Sequence, residues 1–405
     1  MIGKWHLGFA AEALTPLARG FESFLGMFYG KGYYYQHDMP YGQPGAGGHF
    51  YDFHRDGAAM PEAVGVYSTE LYEARLEELL AEHAEGDGRP LFLYYAQQLV
   101  HSPLQEPPDG LLSEEELARV EAAVEGGEDR RTLAKMAVAA DKSFRHLLDQ
   151  LKAHGLYEDS YVVVASDNGG CTFAAGQNYP LRGEKNTVFE GGVRVNAFVH
   201  SPLLPEKARG AGYDGLFHVA DWLPTILLGM VGVDRGQVFA DEEGEDGFQW
   251  ASYDQWDALL AAGGEERAAA YYAGLLGRYA GLPREELVHN VEERDSGLRG
   301  AVRVGDLKLV YGEREAGWYT PAAPAGQNWC ELVEETSTQT WVFDLAADPA
   351  ETASVADRVD DRTLSLLWRR MDRWFDAAAP SARAARDEAG CLPAWEAAGG
   401  WMVPW

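Results

Sequence analysis

An acid and an amide stand together directly after an apolar, β-branched run: Asp167 and Asn168 follow residues 161–165. Carboxylate and amide oxygens are the hard donors that Ca²⁺ and Mg²⁺ take, and the glycines that come next, Gly169 and Gly170, let the backbone turn sharply beside an ion. The run predicts a buried parallel strand, and α/β sheets bind ligands at the carboxyl ends of such strands. On its own, the pattern is more typical of an ordinary turn, in which Asp and Asn bond to nearby backbone.

A lysine 18 residues after Asp167 changes the interpretation. Lys185 ends the sequence RGEK, residues 182–185, and the sequence EGGVR follows at residues 190–194. The ammonium group of Lys185 is a compact cation that can hold an oxygen of a tetrahedral anion. The nearby glycines let the main chain approach that anion closely. The combination predicts a site for a metal ion together with an anion.

This combination resembles the metal and anion signature of the sulfatase family, and residues 161–194 are most similar to arylsulfatases of the N-acetylgalactosamine-4-sulfatase (arylsulfatase B) type. GKWHLG, residues 3–8, is a hallmark of the same family, and residues 19–38 resemble the aromatic segment that follows it there. VHSPLQEP, residues 100–107, and HVADWLPTIL, residues 218–227, are similar to further family motifs. We expect the His and Asp of the second motif to fix helix packing.

The resemblance implies roles for four residues that bind a metal ion or an anion. Asp167 and Asn168 would be ligands of one Ca²⁺ ion, and Lys4 and Lys185 would bind oxygens of the sulfate. Hydrolysis of a sulfate ester requires a held tetrahedral anion, stabilised charge on its oxygens, a nucleophile and a proton for the leaving oxygen. The expected substrate is a sulfated carbohydrate or an aryl sulfate ester.

Two histidines complete the set that the resemblance implies. His6 would assist the nucleophile, and His101 would contact the sulfate and the leaving oxygen. Imidazole gains and loses its proton near neutral pH, which suits both roles. Without the family motifs, His101 in its proline-rich loop and the Lys4 to His6 stretch at a chain start would each be interpreted as structural or mobile.

The nucleophile has no counterpart in this sequence. Sulfatases use formylglycine, made from a Cys or Ser in a C-x-P-x-R motif, and residues 391–395, CLPAW, match it only in part, which we interpret as coincidence. The Asp-Asp pair that a sulfatase's first strand gives to the metal is also missing, whereas Ca²⁺ takes about six to eight oxygen ligands. Both elements precede GKWHLG in the family. The sequence therefore predicts an amino-terminally truncated sulfatase, with Met1 an internal methionine, that is inactive as written.

Two other classes of protein remain open. One is a non-catalytic homologue that binds sulfated glycans through the surviving Lys and His residues. The other is a phosphoesterase of the wider alkaline-phosphatase-like superfamily, with a Ser or Thr nucleophile and zinc. GKWHLG and the motif around Lys185 favour sulfate over phosphate.

The elements that must position these residues alternate between strands and helices. Apolar runs at 91–96, 161–165 and 195–199 predict strands, and amphipathic patterns at 69–86 and 129–154 predict helices. The sequence SEEE, residues 113–116, predicts a capping box that starts another helix. This alternation is typical of a parallel sheet covered on both faces. The resemblance implies an α/β fold, an alkaline-phosphatase-like sheet sandwiched by helices and lacking its first strand.

A change in composition divides the chain. Residues 1–298 are predicted to form the incomplete catalytic domain. Residues 301–311 predict an antiparallel hairpin with a two-residue turn, and a strand and an amphipathic helix follow. Residues 299–378 would thus form a small C-terminal domain with an antiparallel sheet and one helix, and residues 379–405 a tail.

Charge excludes one class of partner. The sequence contains 34 Lys and Arg residues and 64 Asp and Glu residues, so its net charge is −30. This acidic balance excludes nucleic acid as the partner. Because surface charge is screened beyond roughly 8 Å at physiological salt, an anion site must be a local cationic island of metal, Lys and His.

The compartment is not determined by the residues alone. Three cysteines are too few for a disulfide framework or a zinc site. The sequence shows no apolar run long enough to span a membrane and no signal peptide. The resemblance implies the secretory pathway, with a lysosomal or extracellular destination.

Overall fold

The computed structural model describes residues 1–41, 48–86, 88–238, 252–262, 282–294, 297–318, 339–378 and 396–404. The chain divides into two compact units. The first unit comprises Met1–Glu158, Ala174–Gly176 and Ala382–Trp405, and the second comprises Asp159–Phe173 and Gln177–Ser381. The partial C-x-P-x-R match and much of the predicted tail lie outside the described residues. The predicted division at residues 298 and 378 stays a prediction.

The described part of the first unit contains seven short strands. They are β1 (Ile2–Lys4), β2 (Leu25–Met27), β3 (Asp38–Tyr41), β4 (Gly48–Tyr51), β5 (His54–Arg55), β6 (Ala58–Ala59) and β7 (Tyr95–Ala96). Five of them form a mixed sheet in the order β6-β5-β2-β1-β7, in which β1 is parallel to both neighbours. The carboxyl ends of β1, β2 and β7 therefore lie at one edge. β3 and β4 pair separately, in antiparallel fashion.

Glycines let the three parallel strands approach each other closely. A Cβ atom on Gly3 would lie 2.0 Å from the carbonyl oxygen of Ala96, and one on Gly26 would lie 1.9 Å from that of Gly3. Both glycines have positive φ angles, +102° and +153°, which residues with a Cβ rarely adopt. The glycine that opens GKWHLG is therefore required by the backbone.

Three helices of the first unit match their sequence patterns. They are α1 (Ser68–Ala84), α2 (Glu114–Ala123) and α3 (Glu128–Ala153), with α3 packed against the other two. α1 buries Leu76 and Leu80. At the start of α2, Ser113 and Glu116 form a capping box that satisfies two backbone donors.

The predicted strand at 91–96 is wrong over most of its length. Only Tyr95–Ala96 pairs as a strand, and the side chain of Phe92 is 67% exposed. Its partner β1 is three residues long, and the pairing joins Ile2 to Tyr95 and Gly3 to Ala96. An apolar run alone does not reveal how long its partner is.

The second unit begins with a two-stranded sheet that corrects another prediction. β8 (Val162–Ala165) pairs with β9 (Ala197–His200), and Val162 lies opposite His200. The pair is antiparallel and its residues are partly exposed, whereas the run had predicted a buried parallel strand. Composition marks a strand, but its direction depends on which strand lies beside it.

Short helices follow in the described part of the second unit. They are α4 (Glu190–Val193), α5 (Trp222–Pro224), a π-helical turn at Thr225–Met230, α6 (Arg235–Val238) and α7 (Trp256–Ala261). No helix in the described ranges is long and apolar enough to cross a membrane.

A four-stranded antiparallel sheet and one long helix complete the second unit. The strands lie in chain order, β10 (Glu286–Arg294), β11 (Gly297–Val304), β12 (Leu307–Tyr311) and β13 (Thr340–Asp344). α8 (Asp361–Ala377) packs Leu367 and Met371 onto this sheet. Val304 pairs with Leu307 across a two-residue turn, which confirms the predicted hairpin.

Candidate active site

The first unit brings the segments of three predicted site residues to one edge of its sheet. Lys4 is the last residue of β1, and His6 follows two residues later with a positive φ of 51° and an exposed side chain. His101 lies in the loop that leaves the neighbouring strand β7. Because β1 and β7 are parallel, both segments begin at the carboxyl edge, where α/β sheets bind ligands.

The backbone around His6 is fixed by Trp5 and β2. The indole Nε1 of Trp5 donates to the carbonyl oxygens of Gly8 (2.9 Å) and Leu14 (3.0 Å), which holds the turn after β1. The backbone N–H of His6 donates to the carbonyl oxygen of Phe28 at 3.0 Å. The GKWHLG segment is therefore anchored, whereas its position at the chain start, taken alone, would predict a mobile segment.

Gly30 and Asp52 set the surroundings of the His6 imidazole, and sequence reasoning missed both. A Cβ atom on Gly30 would lie 2.5 Å from Nε2 of His6, so the ring occupies the space that any other residue would fill. The Asp52 carboxylate accepts the backbone N–H groups of Phe28 (2.9 Å) and Tyr29 (2.7 Å), which fixes the turn that carries Gly30. Gly30 lies within the aromatic segment that resembles the family.

The loop that carries His101 is held by a buried tyrosine and a buried glutamine. The Tyr34 hydroxyl donates to the carbonyl oxygens of Gln98 (3.0 Å) and His101 (2.8 Å). Gln98 in turn donates to the carbonyl oxygen of Gly32 at 2.8 Å and accepts from the Ser68 hydroxyl at 2.8 Å. The loop after β2 therefore supports the loop after β7.

The tautomer of His101 follows from its own contact. Nδ1 lies 2.6 Å from the carbonyl oxygen of Ser102, and a carbonyl oxygen only accepts, so Nδ1 carries a proton. Nε2 is then the ring nitrogen that gains or loses a proton. His101 can donate from Nε2 only as the imidazolium.

In the second unit, Asp167 and Asn168 form a turn directly after β8. The Asp167 side chain is exposed, and its Oδ1 accepts the backbone N–H of Asn168 at 2.8 Å. The Asn168 amide donates to the carbonyl oxygen of Gly169 at 2.9 Å, which leaves its side-chain oxygen facing away from that bond. Both side chains thus bond the backbone of the next residue, within the kind of ordinary turn that the sequence also allowed.

The donor chemistry of this turn fits a hard cation in part. A carboxylate and an amide oxygen suit Ca²⁺ rather than the N and S ligands typical of zinc. Two such ligands fall short of the about six to eight that Ca²⁺ takes. Among the described residues, no group of three or more His, Cys, Asp or Glu side chains is arranged to hold a metal ion.

The Lys185 segment packs directly against the segment that follows the acid–amide turn. The backbone N–H of Lys185 donates to the carbonyl oxygen of Gly170 at 3.1 Å. Asn178 bonds both polar backbone groups of Gly170, accepting its N–H at 2.7 Å and donating to its oxygen at 2.9 Å. The second unit therefore brings the segments of Asp167, Asn168 and Lys185 together.

A close glycine contact holds the same turn from the other side. The N–H of Gly169 donates to the carbonyl oxygen of Gly192 at 3.0 Å. A Cβ atom on Gly169 would lie 1.8 Å from the carbonyl oxygen of Gly191. The two glycine pairs, in DNGG and EGGVR, are thus needed where their backbones touch.

The HVADWLPTIL segment has the structural role that its sequence indicated. The buried Asp221 carboxylate binds the Arg284 guanidinium through both oxygens, at 2.7 and 2.5 Å, and accepts the backbone N–H groups of His218 and Tyr253. Burial raises the pKa of Asp221, but the hydrogen bonds from Arg284 and these N–H groups outweigh it, so the pKa lies below its ordinary value. Asp221 fixes packing within the second unit.

One of the three cysteines, Cys171, forms a disulfide bond just after the DNGG turn. Cys330 and Cys391 lie outside the described residues.

Comparison with known proteins identifies similar sequences and folds. The family model described as Sulfatase matches residues 1–233. Arylsulfatase J of Mus musculus is 33% identical over an alignment of 403 residues that covers 94% of this chain and 60% of that protein. Arylsulfatase A of Homo sapiens is 27% identical over 395 residues, covering 91% of this chain and 66% of that protein.

Among solved structures, the crystal structure of Ps i-CgsB in complex with k-i-k-neocarrahexaose has a TM-score of 0.69 at 20% sequence identity. The match covers 98% of this chain and 75% of that one, and it shows the fold alone. Together, these comparisons confirm the resemblance to the sulfatase family and the α/β fold class with its C-terminal antiparallel sheet. The N-acetylgalactosamine-4-sulfatase type stays a prediction. The chain spans 60% of the length of the first relative and 66% of the second.

Proposed function

Because the chain belongs to the sulfatase family, we propose that it acts on the sulfate ester of a carbohydrate or an aryl compound, with Ca²⁺ as its metal ion. The observation that supports this proposal is the contact between the Lys185 and Gly170 backbones, because it joins the segment of a lysine to the segment that follows the hard oxygen donors of one turn. A chain with net charge −30 attracts a sulfate only through such a local arrangement.

Each side chain has a chemical task in this proposal. The ammonium groups of Lys4 and Lys185 bind sulfate oxygens and offset the charge that grows on them during S–O cleavage. Asp167 and Asn168 would hold Ca²⁺, which when bound supplies further positive charge beside the anion. His6 takes the role of assisting the nucleophile.

His101 serves the leaving oxygen in this proposal. Its Nδ1 proton is engaged with the carbonyl oxygen of Ser102, so a proton for the leaving oxygen comes from Nε2 of the imidazolium. Only the imidazolium, and not the neutral ring, can donate from Nε2 there.

The nucleophile of the family does not fit the residues present. No C-x-P-x-R sequence occurs in the 405 residues, so no step through formylglycine is assigned to them. We propose that these 405 residues on their own bind a sulfate ester and Ca²⁺ without turning the ester over. These groups are suited to the hydrolysis of a sulfate ester, which is the reaction of the sulfatase family.

The test uses the purified 405-residue chain and p-nitrophenyl sulfate. Isothermal titration should show that the ester binds in the presence of Ca²⁺ and more weakly after treatment with EGTA, with no release of p-nitrophenol. Lys185→Ala should weaken ester binding at least about ten-fold, because a desolvated charge contact is removed. Lys207→Ala, a change at an exposed lysine of the same unit, is the matched control.

Three outcomes would contradict the proposal. Preferential binding of p-nitrophenyl phosphate with a requirement for zinc would favour the phosphoesterase alternative. Equal ester binding by the wild-type chain and by Lys185→Ala would remove the lysine from the site. Saturable binding of sulfated glycans, with no turnover even in a longer chain that carries C-x-P-x-R, would favour the non-catalytic homologue.

The finer assignments of the proposal concern the substrate and the compartment. The similarity to the 4-sulfatase group makes a sulfated sugar the preferred substrate, and comparing the affinities for N-acetylgalactosamine 4-sulfate and 6-sulfate tests this choice. The disulfide at Cys171 supports an oxidising compartment, in line with a lysosomal or extracellular location. Labelling the protein in cells locates it directly.

A further inference from the structure

We propose that the C-terminal antiparallel sheet positions Lys185 and the Asp167–Asn168 turn through two buried cations, Lys308 and Arg299. This inference rests on the proposed function, since it assigns a task to residues that support the same site. Neither cation belongs to a segment in which the sequence indicated site chemistry, and both lie on strands of the sheet formed by β10 to β13.

The first support is a buried cluster of one lysine and two glutamates. The Nζ atom of Lys308 lies 2.9 Å from a carboxylate oxygen of Glu190 and 2.9 Å from one of Glu351. The side chains of Lys308 and Glu351 are fully buried, and that of Glu190 is 4% exposed. The other oxygen of Glu351 accepts the backbone N–H of Glu190 at 2.7 Å. Glu190 is thus held at both its side chain and its backbone.

Glu190 is the first residue of α4, and this short helix contacts both predicted site segments. The N–H of Gly191 donates to the carbonyl oxygen of Arg182 at 2.7 Å, three residues before Lys185. The carbonyl oxygen of Gly192 accepts the N–H of Gly169, next to Asn168. Because these are direct backbone contacts without intervening side chains, a shift of α4 displaces both segments.

The second support holds the residues immediately after Lys185. Arg299 donates to the carbonyl oxygen of Asn186 at 2.7 Å and forms a buried ion pair with Glu313 at 2.6 Å. The Glu313 carboxylate accepts the backbone N–H of Val188 at 2.8 Å. The loop between Lys185 and α4 is therefore bound at two backbone groups by a charge pair on the sheet.

A third set of contacts secures the residues before Lys185. The N–H of Gly183 donates to the carbonyl oxygen of Gly317 at 2.9 Å, and Nε of Arg182 donates to that of Ala316 at 2.7 Å. The Arg182 guanidinium lies over the ring of Phe189, 4.1 Å from its centroid. Lys185 is thus flanked on both sides by backbone that is held by Arg299 of the C-terminal sheet and by the segment directly after β12.

The choice of charged anchors has a physical consequence. Buried charges must remain paired, so the ammonium of Lys308 tolerates little movement of either carboxylate. Apolar contacts would allow α4 to slide, whereas directional ion pairs and backbone hydrogen bonds set its position. Such supports suit a site that requires its groups to be placed within a fraction of an ångström.

The experiment measures binding in four forms of the 405-residue chain. Isothermal titration with CaCl₂ and with p-nitrophenyl sulfate is run on wild type, Lys308→Met, Lys308→Arg and the exposed control Lys207→Met, well below each unfolding temperature. We expect Lys308→Met to bind both probes at least ten-fold more weakly. Lys308→Arg, which keeps a cation between the carboxylates, should recover most of the loss, and Lys207→Met should match wild type.

A merely structural role predicts a different pattern, in which Lys308→Met unfolds at lower temperature but binds both probes with wild-type affinity. That result overturns the inference. If Lys308→Met does not fold, Arg299→Lys is tested instead, because it keeps the charge but cannot reach Asn186 and Glu313 together. Weaker binding of both probes by this variant supports the inference, and wild-type affinity overturns it. Absence of binding by the wild-type chain would instead overturn the proposed function and the inference that rests on it.

Discussion

The carboxylate of Glu190 offers a prediction whose size depends on pH. Replacing Glu190 with Gln should destabilise the second unit at neutral pH, and the effect should shrink as the pH falls. The side chain is almost completely buried and lies 2.9 Å from Nζ of Lys308. Burial raises the pKa of Glu190, but the charge and hydrogen bond of Lys308 outweigh it and lower the pKa from 4.5 to about 2.

The magnitude follows from these two pKa values. Their difference, 4.5 minus about 2, or about 2.5, corresponds to ~3 kcal/mol at about 1.36 kcal/mol per pKa unit. Because the folded state has the lower pKa, this stability is present above pH 4.5 and is lost as the pH falls through about 2. The contribution is therefore ~3 kcal/mol at pH 7 and ~1.5 kcal/mol at pH 3.

The assay is urea unfolding followed by tryptophan fluorescence, at pH values from 7 to 3. The difference in free energy of unfolding between wild type and Glu190→Gln should narrow by about half over this range. Glu206→Gln, at an exposed carboxylate of the same unit, should differ little from wild type throughout. A difference that stays constant from pH 7 to pH 3 would refute the reasoning, since the carboxylate would then not depend on its charge pair with Lys308.

Three further changes probe other contacts. Gly30→Ala places a methyl group 2.5 Å from Nε2 of His6, so the ring must move, and titration should show p-nitrophenyl sulfate binding about ten-fold more weakly. Asp221→Asn leaves the buried Arg284 guanidinium without its charge partner and should lower the free energy of unfolding by about 3 kcal/mol in urea. Burial raises the pKa of Glu351 above 4.5, although Lys308 lies nearby. Because the folded state has the higher pKa, the free energy of unfolding decreases as the pH rises through that raised pKa. In thermal unfolding, Glu351→Gln should not show this decrease.

Each of these changes has its own control or contrary result. Gly212→Ala, where a Cβ atom meets nothing within 4 Å, should leave ester binding unchanged. Asp214→Asn, at an exposed site, should alter the free energy of unfolding by less than about 0.5 kcal/mol. If the thermal stability of Glu351→Gln depends on pH above 4.5 in the same way as that of wild type, another group causes the loss of stability.

The two buried clusters explain why a lysine predicted to bind sulfate depends on a distant part of the chain. Lys308 and Glu190 are 118 residues apart, and Arg299 and Asn186 are 113 apart. The residues that bear these contacts resemble ordinary strand and turn positions in the sequence. Only EGGVR carried a signal, through its glycines, and that signal concerned close backbone approach rather than charge.

Two strand predictions failed for a related reason. The runs at 91–96 and 161–165 have the composition of buried strands, and both contain strand residues. Composition reports that a side chain packs well on a sheet, but strand length and direction depend on the partner. β7 is short because β1 is short, and β8 is antiparallel because its partner β9 returns after the loop that carries Lys185.

Local features were determined by the sequence itself. The three long helices of the first unit, the capping box at Ser113 and the hairpin at 297–311 follow from contacts between residues a few positions apart, so their patterns identify them. Family motifs likewise indicated which acid, amide, lysines and histidines could bind a metal ion and a sulfate. The tertiary structure decided what supports them: the space that Gly30 leaves for His6, the contact of Lys185 with Gly170, and the buried charge pairs beneath α4. These depend on backbones and charges brought together from remote positions, and a linear pattern contains no record of which residues will meet.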